Sequence, residues 1–111
     1  MNDKVFLRQI EIPAGLHRDT ADLLRLFAEE LGRKLEKAQL KHGYSTEWKT
    51  APAEDLQAGM LAHIVKGDPR DVAAYCMFLW GRKADTVDPA FREGLLRGAE
   101  LRALLATSPR P

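Results

Sequence analysis

The stretch KGDPRDVAAYCMFLWG, residues 66–81, decides the fold. Asp68-Pro69 is a helix start: an aspartate can cap the exposed N–H groups, and proline needs no N–H at the first helical position. Asp71 falls at the third helical position, close to the positive end of the helix dipole. The nine residues that follow, VAAYCMFLW, are apolar almost all round, which predicts a central, buried helix. Gly67 stands where a preceding helix would stop, and Gly81 is expected to end this one.

Working outward, Leu56, Met60, Leu61 and Ile64 form an apolar face on the segment before Gly67, with Thr50 as its expected cap and Pro52 near its first turn. Further upstream, Leu23, Phe27, Leu31, Leu35 and Ala38 recur at or near every fourth position. This is an amphipathic stripe over roughly five turns. Asp19 is its expected cap, Glu29–Arg33 and Glu30–Lys34 its expected exposed ion pairs, and Lys41 to Gly43 its end. Downstream, Asp88-Pro89 repeats the start signal. Phe91, Leu95, Leu101 and Leu105 populate that last helix, while Gly94 and Gly98 weaken it by about 1 kcal/mol each relative to alanine and leave notches that a neighbouring helix could approach. Residues 4–12, KVFLRQIEI, read as a short strand or extended arm closed by Pro13 and Gly15. The expected architecture is all-α, a compact four-helix bundle-like domain over residues 19–106, with an N-terminal arm or strand at 1–18 and a frayed tail at 107–111.

Composition narrows the function classes. With 111 residues there is room for one core. Seventeen Lys and Arg against sixteen Asp and Glu leave a net charge of +1, far from the basic excess that duplex nucleic acid calls for. No apolar run reaches the length of a membrane span, and the N-terminus has no signal-peptide pattern. Cys76, alone in the sequence, cannot form an internal disulfide, so a reducing, cytoplasmic setting is expected. Its apolar neighbours give it the role of a small packed side chain.

Two constellations could carry chemistry. Asp68 and Asp71 lie three apart at one helix end, with His63 shortly upstream, and oxygen-rich sites of this kind suit Mg²⁺ with substrate phosphates. The same aspartates also serve a helix N-terminus with no ligand present. Lys41, His42, Gly43, Tyr44 and Trp48 form a basic, aromatic connection that could hold a phosphate and stack a base, or equally could plug the end of the bundle. No nucleophile–histidine–acid arrangement can be nominated by spacing, so catalytic residues stay unassigned.

KLEKAQLKHGYSTEW (34–48) followed by HIVKGDPRDVAAYCMFLW (63–80) resembles small phage and prophage proteins related to the MazG-like all-α nucleotide pyrophosphohydrolases. The resemblance spans roughly residues 31–82. Lys41, Gly43, Tyr44 and Trp48 resemble that family's lysine–glycine–aromatic loop with its tryptophan. Asp68, Asp71, Val72, Ala73 and Tyr75 resemble its acidic motif. The resemblance implies a helical, oligomeric protein and Mg²⁺-dependent cleavage of a nucleoside triphosphate to monophosphate and pyrophosphate. One departure is plain. The family's Glu-x-x-Glu precedes the acidic motif, whereas LQAGMLAHIVKG (56–67) holds no glutamate, with Met60 and His63 near the expected places.

Three readings follow. The chain could be a nucleotide pyrophosphohydrolase with a reduced acidic site. It could be a non-catalytic binder of a nucleotide or nucleotide signal, a sponge or counter-defence protein. Or it could be an inhibitor that binds a host protein, with Asp68 and Asp71 serving as caps. A homo-oligomer is expected under the resemblance.

Overall fold

The computed structural model describes residues 10–43 and 45–107. It is all-α: α1 (Arg18–His42), α2 (Ala53–Lys66), α3 (Pro69–Gly81) and α4 (Pro89–Thr107), with a single 3₁₀ turn at Glu47–Lys49. None of these helices is long and apolar enough to cross a membrane. Residues 10–13 have no regular structure. That part of the expected strand is therefore absent, and the remainder lies outside the described residues.

The start and stop signals act unevenly. Asp68 caps α3 as expected, its Oδ1 accepting the Arg70 backbone N–H at 2.9 Å, with Pro69 at the first helical position. Asp88 does the same for α4 through the Phe91 N–H at 2.7 Å. Gly43 and Gly67 close α1 and α2 in the left-handed conformation, at φ of 74° and 95°. That conformation costs glycine nothing and most other residues a clash at Cβ.

Two expected ends differ. The cap of α1 is His17, whose Nδ1 accepts the Asp19 N–H at 3.1 Å, because the helix begins at Arg18 and leaves Asp19 inside its first turn. Thr50 does not cap α2. It ends the 3₁₀ turn, and Pro52 takes the cap position of α2 with no side-chain bond. Gly81 ends α3 as expected, as its last helical residue, and a Cβ there would lie 3.4 Å from the Trp48 ring. The chain leaves the helix through Arg82 and Lys83, the latter at φ 55°.

The core sits between α2 and α3. Leu56, Met60 and Leu79 are buried there, and Trp48, Leu61, Val72, Tyr75, Cys76 and Phe78 pack around the cluster; Ala74 of α3 is buried as well. The α3 helix also packs on α1, so it is the central helix. It is not buried all round, however: Met77 and Trp80 face outward. No residue of α1 is fully buried. Among the described residues, the fourth helix makes no comparable packing against the other three. The radius of gyration is accordingly 18.5 Å, against about 13 Å for a compact chain of this length.

Candidate functional site

The acidic start of α3 meets the middle of α1 and the end of α2. The α2–α3 connection is only Gly67 and Asp68, so the left-handed glycine folds α3 back along α2 and sets Asp68 and Asp71 beside His63. From α1, Lys34 reaches across. Its Nζ donates to Asp68 Oδ2 at 3.0 Å and lies 3.3 Å from Asp71 Oδ2. His63 Nδ1 is 3.6 Å from the same Asp71 oxygen; it is buried and has no hydrogen-bond partner. The His63 ring stacks on Tyr75, with centroids 5.2 Å apart.

Arg70 closes the arrangement. Its Nε and Nη2 donate to Asp68 at 3.2 and 2.9 Å, and its Nη1 reaches Glu30 Oε2 at 3.3 Å. Arg33 holds the other oxygen of Glu30 at 2.8 Å. Neither ion pair expected on α1 forms: Glu29 pairs with Arg25, Glu30 with Arg33 and Arg70, and Lys34 turns toward α3. A cation between two carboxylates gains more than an exposed pair on one helix face.

The electrostatics follow from these contacts. The Arg70 guanidinium, then the Lys34 ammonium and the Arg70 backbone N–H, hold the Asp68 carboxyl well below the usual carboxylate range. The bond to Asp68 raises Lys34 above the ordinary lysine value, against a smaller opposing effect of burial, and Asp71 adds to the rise. Three positive groups (Lys34, Arg33, Arg70) and three negative ones (Glu30, Asp68, Asp71) share the junction, which is close to neutral as a whole.

The three residues nominated for Mg²⁺, Asp68, Asp71 and His63, are thus brought together. As arranged, they do not fit the ion. Lys34 bridges the two Oδ2 atoms that a divalent cation would need. Among the described residues no group of three or more His, Cys, Asp or Glu side chains is placed to hold a metal. Lys34 was the side chain that sequence reasoning missed. It stands with Leu31, Leu35 and Ala38 at i, i+3, i+4 and i+7, a spacing that placed it on the packed face.

The substrate-binding nominees are dispersed. Lys41 and His42 lie exposed in the last turn of α1, about 10 Å along the helix from Lys34 at 1.5 Å per residue. Tyr44 lies outside the described residues. Trp48 packs on the core, stacked on Phe78 at 5.8 Å and 11°, and its carbonyl accepts Arg82 Nη1 at 2.9 Å. Cys76 is partly buried, with Sγ 3.8 Å from Met60 Sδ, the packed setting expected of it.

No family model, curated protein or solved structure matches the chain.

Proposed function

We propose that the protein binds a nucleotide through its phosphates at the α1–α2–α3 junction, without hydrolysing it, and that Lys34 takes the part a divalent cation plays in the MazG-like enzymes it resembles. The observation that carries this reading is the bridging ammonium. Lys34 joins two carboxylates as a metal would: an ammonium has three N–H groups, one donates to Asp68, and Asp71 Oδ2 lies 3.3 Å from the same nitrogen. The third N–H, with the half-exposed Arg70 guanidinium beside it, is the donor pair for a phosphate oxygen. His63 Nδ1, buried and without a hydrogen-bond partner, lies 3.6 Å from Asp71 Oδ2 at the same junction. Pyrophosphate cleavage calls for metal charge placed on the developing phosphate charge. Two carboxylates already neutralised by lysine and arginine do not supply a seat for it.

The test is a calorimetric titration with linear and cyclic nucleotides, in Mg²⁺ and in EDTA, with pyrophosphate measured in the same samples. Binding survives EDTA, no pyrophosphate appears, and Lys34→Met weakens affinity by about tenfold or more through loss of a charge-assisted contact. Mg²⁺-dependent binding with pyrophosphate release refutes the reading in favour of the enzyme, and no binding refutes it outright. One observation favours the protein-binding alternative: Trp80 is 83% exposed on the central helix, and aromatic side chains of this kind anchor protein interfaces.

A further inference from the structure

The charges around Lys34 limit the kind of phosphate that the junction can take. Lys34, Arg33 and Arg70 face Glu30, Asp68 and Asp71, so cations and carboxylates cancel with the His63 ring neutral. Asp68 and Asp71 are only 29% and 24% exposed, too little for water to screen them fully, and they lie 3.0 and 3.3 Å from the ammonium. An anion on the open side of Lys34 is drawn by the ammonium and repelled by the two carboxylates behind it. Its first negative charge is offset by the hydrogen bonds it receives. Every further charge meets the same carboxylates with no cation to spare.

The donors set the same limit. A helix start is a common seat for phosphates, because its first N–H groups are open and its dipole is positive there. At α3 that seat is closed. Pro69 has no N–H, that of Arg70 goes to Asp68 Oδ1 at 2.9 Å, and that of Asp71 goes to the Asp68 carbonyl at 3.2 Å. What remains is on side chains. A guanidinium has five N–H groups; Arg70 spends Nε and one N–H of Nη2 on Asp68 and one N–H of Nη1 on Glu30, which leaves two. The Lys34 ammonium has one beyond those facing Asp68 and Asp71. Lys34 Nζ and Arg70 Nη2 bond the same oxygen, Asp68 Oδ2, at 3.0 and 2.9 Å, so the two nitrogens stand no more than about 6 Å apart. The two free oxygens of one phosphate group can bridge that span. A chain of three phosphates finds no donors for the rest.

Phosphates differ in the charge they bring. A terminal phosphate ester carries about −1.5 to −2 at neutral pH, and a triphosphate adds the charges of two more groups. A phosphate esterified twice has no second proton to lose and carries a single negative charge.

We infer that the nucleotide held at the junction is a phosphodiester, a cyclic mononucleotide or two nucleosides joined by one ester, and that the carboxylates behind Lys34 turn terminal phosphates and triphosphates away. The inference rests on nucleotide binding through Lys34 and adds the class of ligand. Asp71 is the residue through which this selectivity is tested. Asp68 also caps α3 and binds Arg70, whereas among the described residues the charged partners of Asp71 are Lys34 and His63, so its charge can be removed without the cap.

Titration calorimetry in EDTA with four adenosine probes decides it: the 3′,5′-cyclic monophosphate, the dinucleoside monophosphate, the 5′-monophosphate and the 5′-triphosphate, repeated with the guanosine set. In the wild type one or both diesters bind at least about tenfold more tightly than the triphosphate. Either diester alone meets this expectation, and which one binds says whether the ester is cyclic or internucleotide. Asp71→Asn keeps the shape and removes one negative charge, so the triphosphate gains at least about tenfold relative to the diester. Asp71→Ser takes its place if the amide disturbs the fold. A triphosphate that binds the wild type as tightly as the diesters, or a preference that Asp71→Asn leaves unchanged, overturns the inference and leaves nucleotide binding at Lys34 standing. Diester binding indifferent to Lys34→Met, or no binding of any probe, overturns the reading of the site and this inference with it.

Discussion

Trp48→Ala separates a core tryptophan from a ligand-stacking one. The ring stacks on Phe78 and packs over Leu56, Met60 and Leu79. Removing a fully buried tryptophan costs about 3–5 kcal/mol, through lost transfer energy and the cavity left behind. Trp48 is only half-buried, so the expected loss is about 2–3 kcal/mol, of which the ring pair supplies about 0.5–1.5. For a domain of this size, each kcal/mol lowers Tm by about 4–8 °C, which places the expected drop at about 10–20 °C. The assay is thermal and urea unfolding of wild type, Trp48→Ala, Phe78→Leu and the double variant. The coupling in that cycle should be about 0.5–1.5 kcal/mol. A Trp48→Ala protein with unchanged Tm and weakened nucleotide affinity would refute the placement of this side chain in the core and return it to the ligand.

Two glycines inside helices should respond to alanine with opposite signs. Gly32→Ala, with open space around its Cβ, gains about 1 kcal/mol of helix propensity. In Gly59→Ala the new Cβ would fall 2.6 Å from Tyr75 Cζ, and Tyr75 is wedged against His63 and Phe78, so overpacking of about 1–3 kcal/mol outweighs the gain; equal stabilisation in urea melts would disprove the close α2–α3 contact. The acid limb of stability should carry the signature of Asp68. Its folded carboxyl is depressed, so its contribution is present above the unfolded value of about 3.9 and is lost as pH falls through the lower folded value. Asp68→Asn keeps a competent cap and removes the charge, and should flatten Tm between about pH 4 and pH 2 relative to wild type. Lys34, raised in the fold, contributes at every pH below the ordinary lysine value and loses its contribution only as pH climbs past its folded value, so Lys34→Met should lower Tm by the same amount at about pH 6 and at about pH 8.

The sequence made some elements readable because a single residue type settles them. Asp-Pro can start a helix on its own terms, and glycine in the left-handed region can end one, so α3, α4 and the ends of α1 and α2 were legible. His17 was not, since an imidazole nitrogen is an uncommon cap acceptor and Asp19 was the stronger local candidate. Thr50 ends the turn at Glu47–Lys49 that carries Trp48 onto Phe78, a long-range contact that local cap signals do not contain. The site was half legible. The spacing of Asp68 and Asp71 and the nearness of His63 lie within one hairpin, which local reasoning reaches. The partner that decides their chemistry, Lys34, comes from 34 residues upstream of Asp68. A Glu30–Lys34 pair on α1 is locally as reasonable as the long-range contact that forms instead.

The two-residue link between α2 and α3 also bears on the order of assembly. Gly67 and Asp68 bring the buried side chains together across a very short loop, so the α2–α3 hairpin closes at little entropic cost and holds the whole buried cluster. The first helix joins through ion pairs spanning more than thirty residues, and the last is fastened by its connection alone. Native-state hydrogen exchange should therefore grade the chain: the amides of Met60 and Leu79 open only with global unfolding, those of α1 open at lower cost, and those of α4 exchange first.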